Sequence, residues 1–281
     1  MAGDSTMARG GGGSGFTSDG WGQYLGSYLT IPVVNRAIGG RSSRSYTREG
    51  RFASIANEVK SGDYVVIEFG INDGGGLSTD NGRSVASGTG DETQVSTYNG
   101  VRETVHTYPW YLQQAVALLK GKGATVIIAS HAPRAGWTNG KFNNSPDRFV
   151  DYAKLAADRS GAQYVDHYGY IVTEYNRLGQ SAVQAFYPGD YTHFTPAGAK
   201  VVAEAFVKGV IAGNKALVNR LNTAGKALGG GGSTPATTTR ATTTTRAPAT
   251  TTRTTGGSSG NCAALYGQWY VFSPSVKVCH G

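Results

Sequence analysis

The chain of 281 residues is 39% hydrophobic and 16% charged, a balance that suits one large globular domain with a small appendage. Its formal charge is +8, but half of that excess comes from Arg240, Arg246, Arg253 and Lys277, in a C-terminal stretch without acids, so the remainder is too diffuse to argue for nucleic acid. No apolar run approaches the roughly 20 residues that a membrane span needs, and Met1 leads at once into Ala2-Gly3-Asp4-Ser5 rather than into a secretory leader.

Four short runs rich in β-branched residues, at 31–35 (IPVVN), 63–69 (DYVVIEF), 124–130 (ATVIIAS) and 162–167 (AQYVDH), read as buried parallel strands. Helical patterns at 52–60, 111–120 and 148–158 alternate with them. A last helix is expected at 197–211, with an apolar stripe at Val201, Ala205, Phe206 and Val210, Thr195 as N-cap and Pro196 in the first turn. This alternation predicts an α/β fold, a three-layer α/β/α sandwich around a parallel sheet, with chemistry gathered at the carboxyl ends of the strands.

From 234 to 255, 13 of 22 residues are Thr, broken by two prolines and three arginines. Such a segment cannot bury a core, and its composition is that of an O-glycosylated stalk. Glycine- and serine-rich joints flank it at 229–233 and 256–260. The expected organisation is therefore a main domain at 1–228, a linker at 229–260 and a tail at 261–281. Both cysteines, Cys262 and Cys279, fall in that tail, which reads as a small disulfide-closed module and points to an oxidising compartment.

Ser5 follows a glycine that permits a sharp turn, at a place where a strand's carboxyl end would present its hydroxyl. Asp190 and His193 stand three apart in one loop before the last helix, a spacing that lets a carboxylate orient an imidazole. Gly40, after the strand at 31–35, allows close backbone approach, and Asn72, after the strand at 63–69, can donate to a developing oxyanion. Taken singly, each is an ordinary turn or surface residue. Taken together, they occupy the loops that a parallel sheet would gather along one rim.

In that order, Ser5, Gly40, Asn72 and His193 resemble the four named residues of the SGNH (GDSL) hydrolase superfamily. The segments AGDSTMA, GRSSRSYTREGRF, EFGINDGG, LSTDNGR and HFTPAGA resemble the fungal rhamnogalacturonan acetylesterases (carbohydrate esterase family 12) over nearly all of residues 2–213. The resemblance implies a flavodoxin-like sheet and a serine esterase acting on acetylated pectic polysaccharide as a secreted monomer. Ser5 would be the nucleophile, His193 the base and Asp190 its orienting acid. The amides of Ser5 and Gly40 and the side chain of Asn72 would form the oxyanion hole, and the chemistry requires neither a metal nor a cofactor. A related xylan acetylesterase or lipase activity, or a weakly active polysaccharide-binding protein, are the alternatives.

Arg41, Arg44, Arg48 and Arg51 cluster behind Gly40. Guanidinium forks suit galacturonate carboxylates, so Arg41 and Arg44 are expected to line the substrate groove. His131 is expected to be structural, and Asn143-Asn144-Ser145 is an N-glycosylation acceptor. The Gly-x-Ser-x-Gly pattern at 256–260 lies in the linker, without a strand before it or a helix after it, and is rejected as a nucleophile elbow. Two features depart from the family pattern. Met1 stands where an apolar first strand is expected, so the reading is of a chain that lacks its signal peptide and first strand. CAALYGQ at 262–268 resembles the start of a fungal family 1 cellulose-binding module, but Trp269-Tyr270-Val271-Phe272 then departs from it, so the reading is of a broken module.

Overall fold

The computed structural model describes residues 1–13, 15–143 and 145–230, so the expectations for the linker, Cys262, Cys279 and the cellulose-binding tail lie outside the described residues. In chain order the elements are β1 (Ala2–Gly3), α1 (Ser43–Arg48), α2 (Arg51–Glu58), β2 (Tyr64–Glu68), β3 (Thr93–Tyr98), β4 (Val101–His106), α3 (Tyr108–Lys120) and β5 (Thr125–Ala129). Then come β6 (Trp137–Thr138), β7 (Lys141–Phe142), α4 (Arg148–Ser160), β8 (Gln163–Val165), α5 (His167–Leu178), α6 (Gln180–Gln184), α7 (Pro196–Ala212) and α8 (Thr223–Ala227).

The main sheet runs β1-β2-β5-β8 and all its pairs are parallel. Alternate residues of the two central strands enter opposite cores. Val66 of β2 and Ile127 and Ala129 of β5 face one core, which holds Ile171 of α5 and Val202 and Phe206 of α7. Val65 and Ile67 of β2 and Val126 and Ile128 of β5 face the other, with Phe52 of α2, Leu112 of α3 and Ala153 of α4. Burial on both faces explains why these strands read as unbroken apolar runs instead of alternating patterns. The result is the expected three-layer α/β/α sandwich.

Local signals set the helix starts. Thr195 caps α7 by accepting from the Gly198 amide at 3.4 Å, and Pro196 opens its first turn. Asp147 caps α4 in the same way, and Gly161, with φ +64°, ends it.

A buried pair stitches the layers together. Glu68 of β2 lies 2.6 Å from Nδ1 of His167, the first residue of α5, and accepts from the Trp21 indole N–H at 2.9 Å. The other ring nitrogen of His167 donates to the Val202 carbonyl of α7 at 2.8 Å.

Two expectations are corrected. Residues 31–35 do not form a strand of the sheet; instead the segment 34–38 runs beside β1, with Met1 N donating to Val34 O, Arg36 N to Met1 O and Ile38 N to Gly3 O. Of the first strand, Ala2–Gly3 are in place and pair with Ile67 and Glu68 of β2. It is short, however. Next to it, a cavity of about 720 Å³ is lined by Met1, Val33, Val34 and the start of β2 at Tyr64–Val66, among other residues. No helix of the described residues is long and apolar enough to cross a membrane.

Candidate active site

The chemical groups come from the turns after β1 and β2, from the loop before α1 and from the loop before α7. After β1 the chain turns around Asp4, whose Oδ1 accepts from the Thr6 amide at 2.9 Å and the Thr6 hydroxyl at 2.8 Å, while its carbonyl accepts from Met7 N and Ala8 N. Gly3 tolerates no side chain there, because a Cβ would stand 2.8 Å from Met7 Sδ and 2.9 Å from the Glu68 carbonyl. This tight turn places Ser5 on the rim.

The Ser5 hydroxyl donates to His193 Nε2 at 2.9 Å, and His193 Nδ1–H donates to Asp190 Oδ2 at 2.8 Å. Asp190 Oδ1 also accepts from the amides of Thr192 and His193, both at 2.7 Å, so both oxygens of the carboxylate are occupied. Burial works against its ionisation, but these donors outweigh that cost and hold the carboxyl below its usual range. The i, i+3 spacing lets one short loop bring the Asp190 carboxylate against the His193 ring.

The Gly40 loop closes the other side. Gly40 is left-handed, with φ +74°, and a Cβ built on Gly39 would lie 3.7 Å from Ser5 Cβ. The loop is pinned by α1, where Ser42 and Ser45 cap each other reciprocally. Among the described residues, neither the Ser5 nor the Gly40 amide donates to a protein acceptor. Asn72 spends one N–H of its side-chain amide on the Arg41 carbonyl at 3.0 Å and keeps the second available. Two backbone amides and one N–H of a side-chain amide are thus left without a protein acceptor among the described residues.

Three features of the site carry little signal in the sequence. Gly12 packs against the catalytic pair, because a Cβ there would come within 2.8 Å of both Ser5 Cβ and His193 Nε2. The glycine run at 10–13 was the available clue. Asp73, next to Asn72, accepts from the Ser43 amide at 2.8 Å and from the Ser43 hydroxyl, so it ties the Asn72 loop to the start of α1. Burial lifts its carboxyl to about 7 despite these donors, and burial likewise lifts Asp4 to about 6 against the bonds from Thr6. Arg83, from a loop that the sequence left unassigned to any role, donates to Asn72 Oδ1 at 3.3 Å.

The arginine expectation is corrected. The Arg44 side chain is buried and holds Asp80 through both terminal nitrogens, at 2.9 and 2.6 Å, while its Nε engages Glu103. The Arg41 guanidinium turns to Glu49 and to the Gly39 carbonyl. Arg44 is thus not free for a substrate carboxylate, and Arg41 is already paired with Glu49. His131 is structural as expected, with one ring nitrogen facing the Ala132 carbonyl and the other 3.0 Å from Asp147. Burial opposes charge on that ring, but the neighbouring Asp147 outweighs it and raises its pKa.

A serine, an imidazole and a carboxylate joined in one hydrogen-bonded line, on the carboxyl rim of a parallel three-layer sheet, mark the class of serine hydrolases. The chain belongs to the GDSL-like lipase/acylhydrolase family, whose model matches residues 1–206. It is 51% identical over 217 residues to a rhamnogalacturonan acetylesterase of Emericella nidulans, covering 77% of this chain and 86% of that one. It is 32% identical over 218 residues to a probable rhamnogalacturonan acetylesterase, YesY, of Bacillus subtilis, covering 75% and 90%. Among solved structures, the YxiM protein of Bacillus subtilis aligns with a TM-score of 0.61 at 22% identity, a likeness of fold that covers 76% of this chain and 56% of that one.

Proposed function

We propose that this chain removes acetyl groups from the rhamnogalacturonan backbone of pectin through an acyl-enzyme on Ser5. The observation that carries the chemistry is the unbroken line from Ser5 Oγ to His193 Nε2, at 2.9 Å, and from His193 Nδ1 to Asp190, at 2.8 Å. The names of the two relatives carry the substrate.

In the first half-reaction His193 takes the Ser5 proton as Oγ attacks the acetyl carbonyl. Asp190 stabilises the resulting imidazolium, and the Ser5 and Gly40 amides with Asn72 hold the tetrahedral oxyanion. His193 then returns the proton to the departing sugar hydroxyl. Water, deprotonated by the same imidazole, attacks the acetyl-serine and releases acetate. Each oxyanion donor contributes roughly 3 kcal/mol to lowering the barrier.

Acetate release from acetylated rhamnogalacturonan, acetylated xylan and an aryl acetate, each measured with wild type and Ser5→Ala, tests both halves. The reading expects the pectic polymer to be preferred and Ser5→Ala to lose at least about 10⁴-fold on every substrate. A preference for xylan, or a Ser5→Ala variant that remains active, contradicts it.

The stalk composition, the Asn143 acceptor and the presence of two cysteines in the tail support a secreted glycoprotein, acting as a monomer on its polymer. Binding of the tail to cellulose is tested by a pull-down on microcrystalline cellulose with and without residues 229–281. Unchanged retention removes the binding role.

A further inference from the structure

We infer that Arg83 is the residue that recognises a substrate carboxylate beside the reacting ester. Arg83 N–H donates to Asn72 Oδ1 at 3.3 Å, and the same nitrogen stands 3.9 Å from the point where a Cβ on Gly40 would be. The guanidinium therefore sits next to two of the three oxyanion donors. It is half-buried and forms no ion pair among the described residues, unlike Arg41, Arg44, Arg48 and Arg51. One of its five N–H groups serves Asn72, which leaves a fork for an anion.

The loop that carries Arg83 is held in place for this. Asp80, gripped by the buried Arg44, accepts from the Gly82 amide at 2.8 Å, and Asn81 Oδ1 accepts from the Arg83 amide at 2.9 Å. Arg44 and Arg48 also bond the carbonyls of Ser84 and Gly82. The buried Arg44 of α1 is thus the support, and the half-buried Arg83, on the loop that it holds, meets the substrate. A preorganised guanidinium in this place selects an ester whose neighbouring sugar carries a carboxylate, and it does so without entering the bond-breaking steps.

This inference rests on the reading of the substrate as a galacturonate-containing polymer. Its test uses the full chain, as wild type, Arg83→Gln and Arg83→Lys, on three substrates: acetylated rhamnogalacturonan with free carboxylates, the same polymer with its carboxylates methyl-esterified, and a neutral aryl acetate. Wild type is expected to show a KM lower by about tenfold for the free-acid form than for the methyl-esterified form. Arg83→Gln removes that difference by raising KM on the free acid, and Arg83→Lys, which keeps the charge but not the fork, falls between them. On the aryl acetate the loss is smaller than on the free acid for both variants, and a melting temperature near that of wild type reports that they are folded. A wild type indifferent to methyl esterification, or an Arg83→Gln loss of equal size on all three substrates, overturns the inference alone. A wild type that cleaves the aryl acetate but neither polymer overturns the substrate reading, and this inference with it.

Discussion

A methyl group at position 12 has nowhere to go, since it would stand 2.8 Å from both Ser5 Cβ and His193 Nε2. Gly12→Ala is therefore expected to push the base off the nucleophile and to lower kcat about 10²-fold, with thermal stability little changed. Wild-type turnover in that variant would contradict the placement of the glycine loop. Asn72→Ala removes one oxyanion donor, and a fall of roughly 10²–10³ in kcat with little change in KM is the expected outcome on an aryl acetate. Asp73 gives a pH signature. Its carboxyl titrates near 3.8 when unfolded and near 7 when folded, so between these values the folded state holds the extra proton and stability falls as pH rises. Asp73→Asn is isosteric and carries no charge. Its melting temperature should match wild type near pH 4 and exceed it above pH 7, and a constant offset at both pH values would contradict the burial argument.

Strands β2, β5 and β8 and helices α2, α3, α4 and α7 lie within or close to the segments that period and β-branching marked, because burial on both sheet faces leaves a direct trace in the sequence. The β3–β4 hairpin was missed although its turn, Asn99-Gly100 with both φ positive, is a strong local signal. Its two strands are polar and mostly exposed, so they carry no buried apolar run. The segment at 31–35 has the composition of a strand, but the bonds from Met1 and Gly3 shift its pairing to residues 34–38, a register that period alone does not fix. That Ser5, His193 and Asp190 meet was legible through their order and the resemblance it carries, since each taken singly is an ordinary turn or surface residue. Arg83 was not, since nothing in the sequence says that Arg44 would be consumed by Asp80 and Glu103. At this scale the Glu68–His167 pair is the main cross-layer tie. Glu68→Ala leaves the ring and the Trp21 N–H without their shared acceptor in a dry core, and unfolding in urea should show a loss of about 3–5 kcal/mol. A loss below about 1 kcal/mol would mean the pair contributes no more than a surface ion pair.

Across the whole described molecule, the division of labour follows the layers. Two apolar cores hold the sheet from both sides, and at its carboxyl rim a serine at position 5 and a histidine at position 193 meet although the chain between them builds nearly all the rest. Their meeting is the central claim, and covalent labelling tests it most directly. The full chain is treated with a small organophosphonate ester and digested, and its peptides are read by mass spectrometry while residual acetate release is followed in parallel. The account predicts a single adduct on the peptide carrying Ser5, formed in proportion to the activity lost and absent from His193→Ala. Inhibition that leaves Ser5 unmodified, or a labelled Ser5 with activity intact, would contradict it.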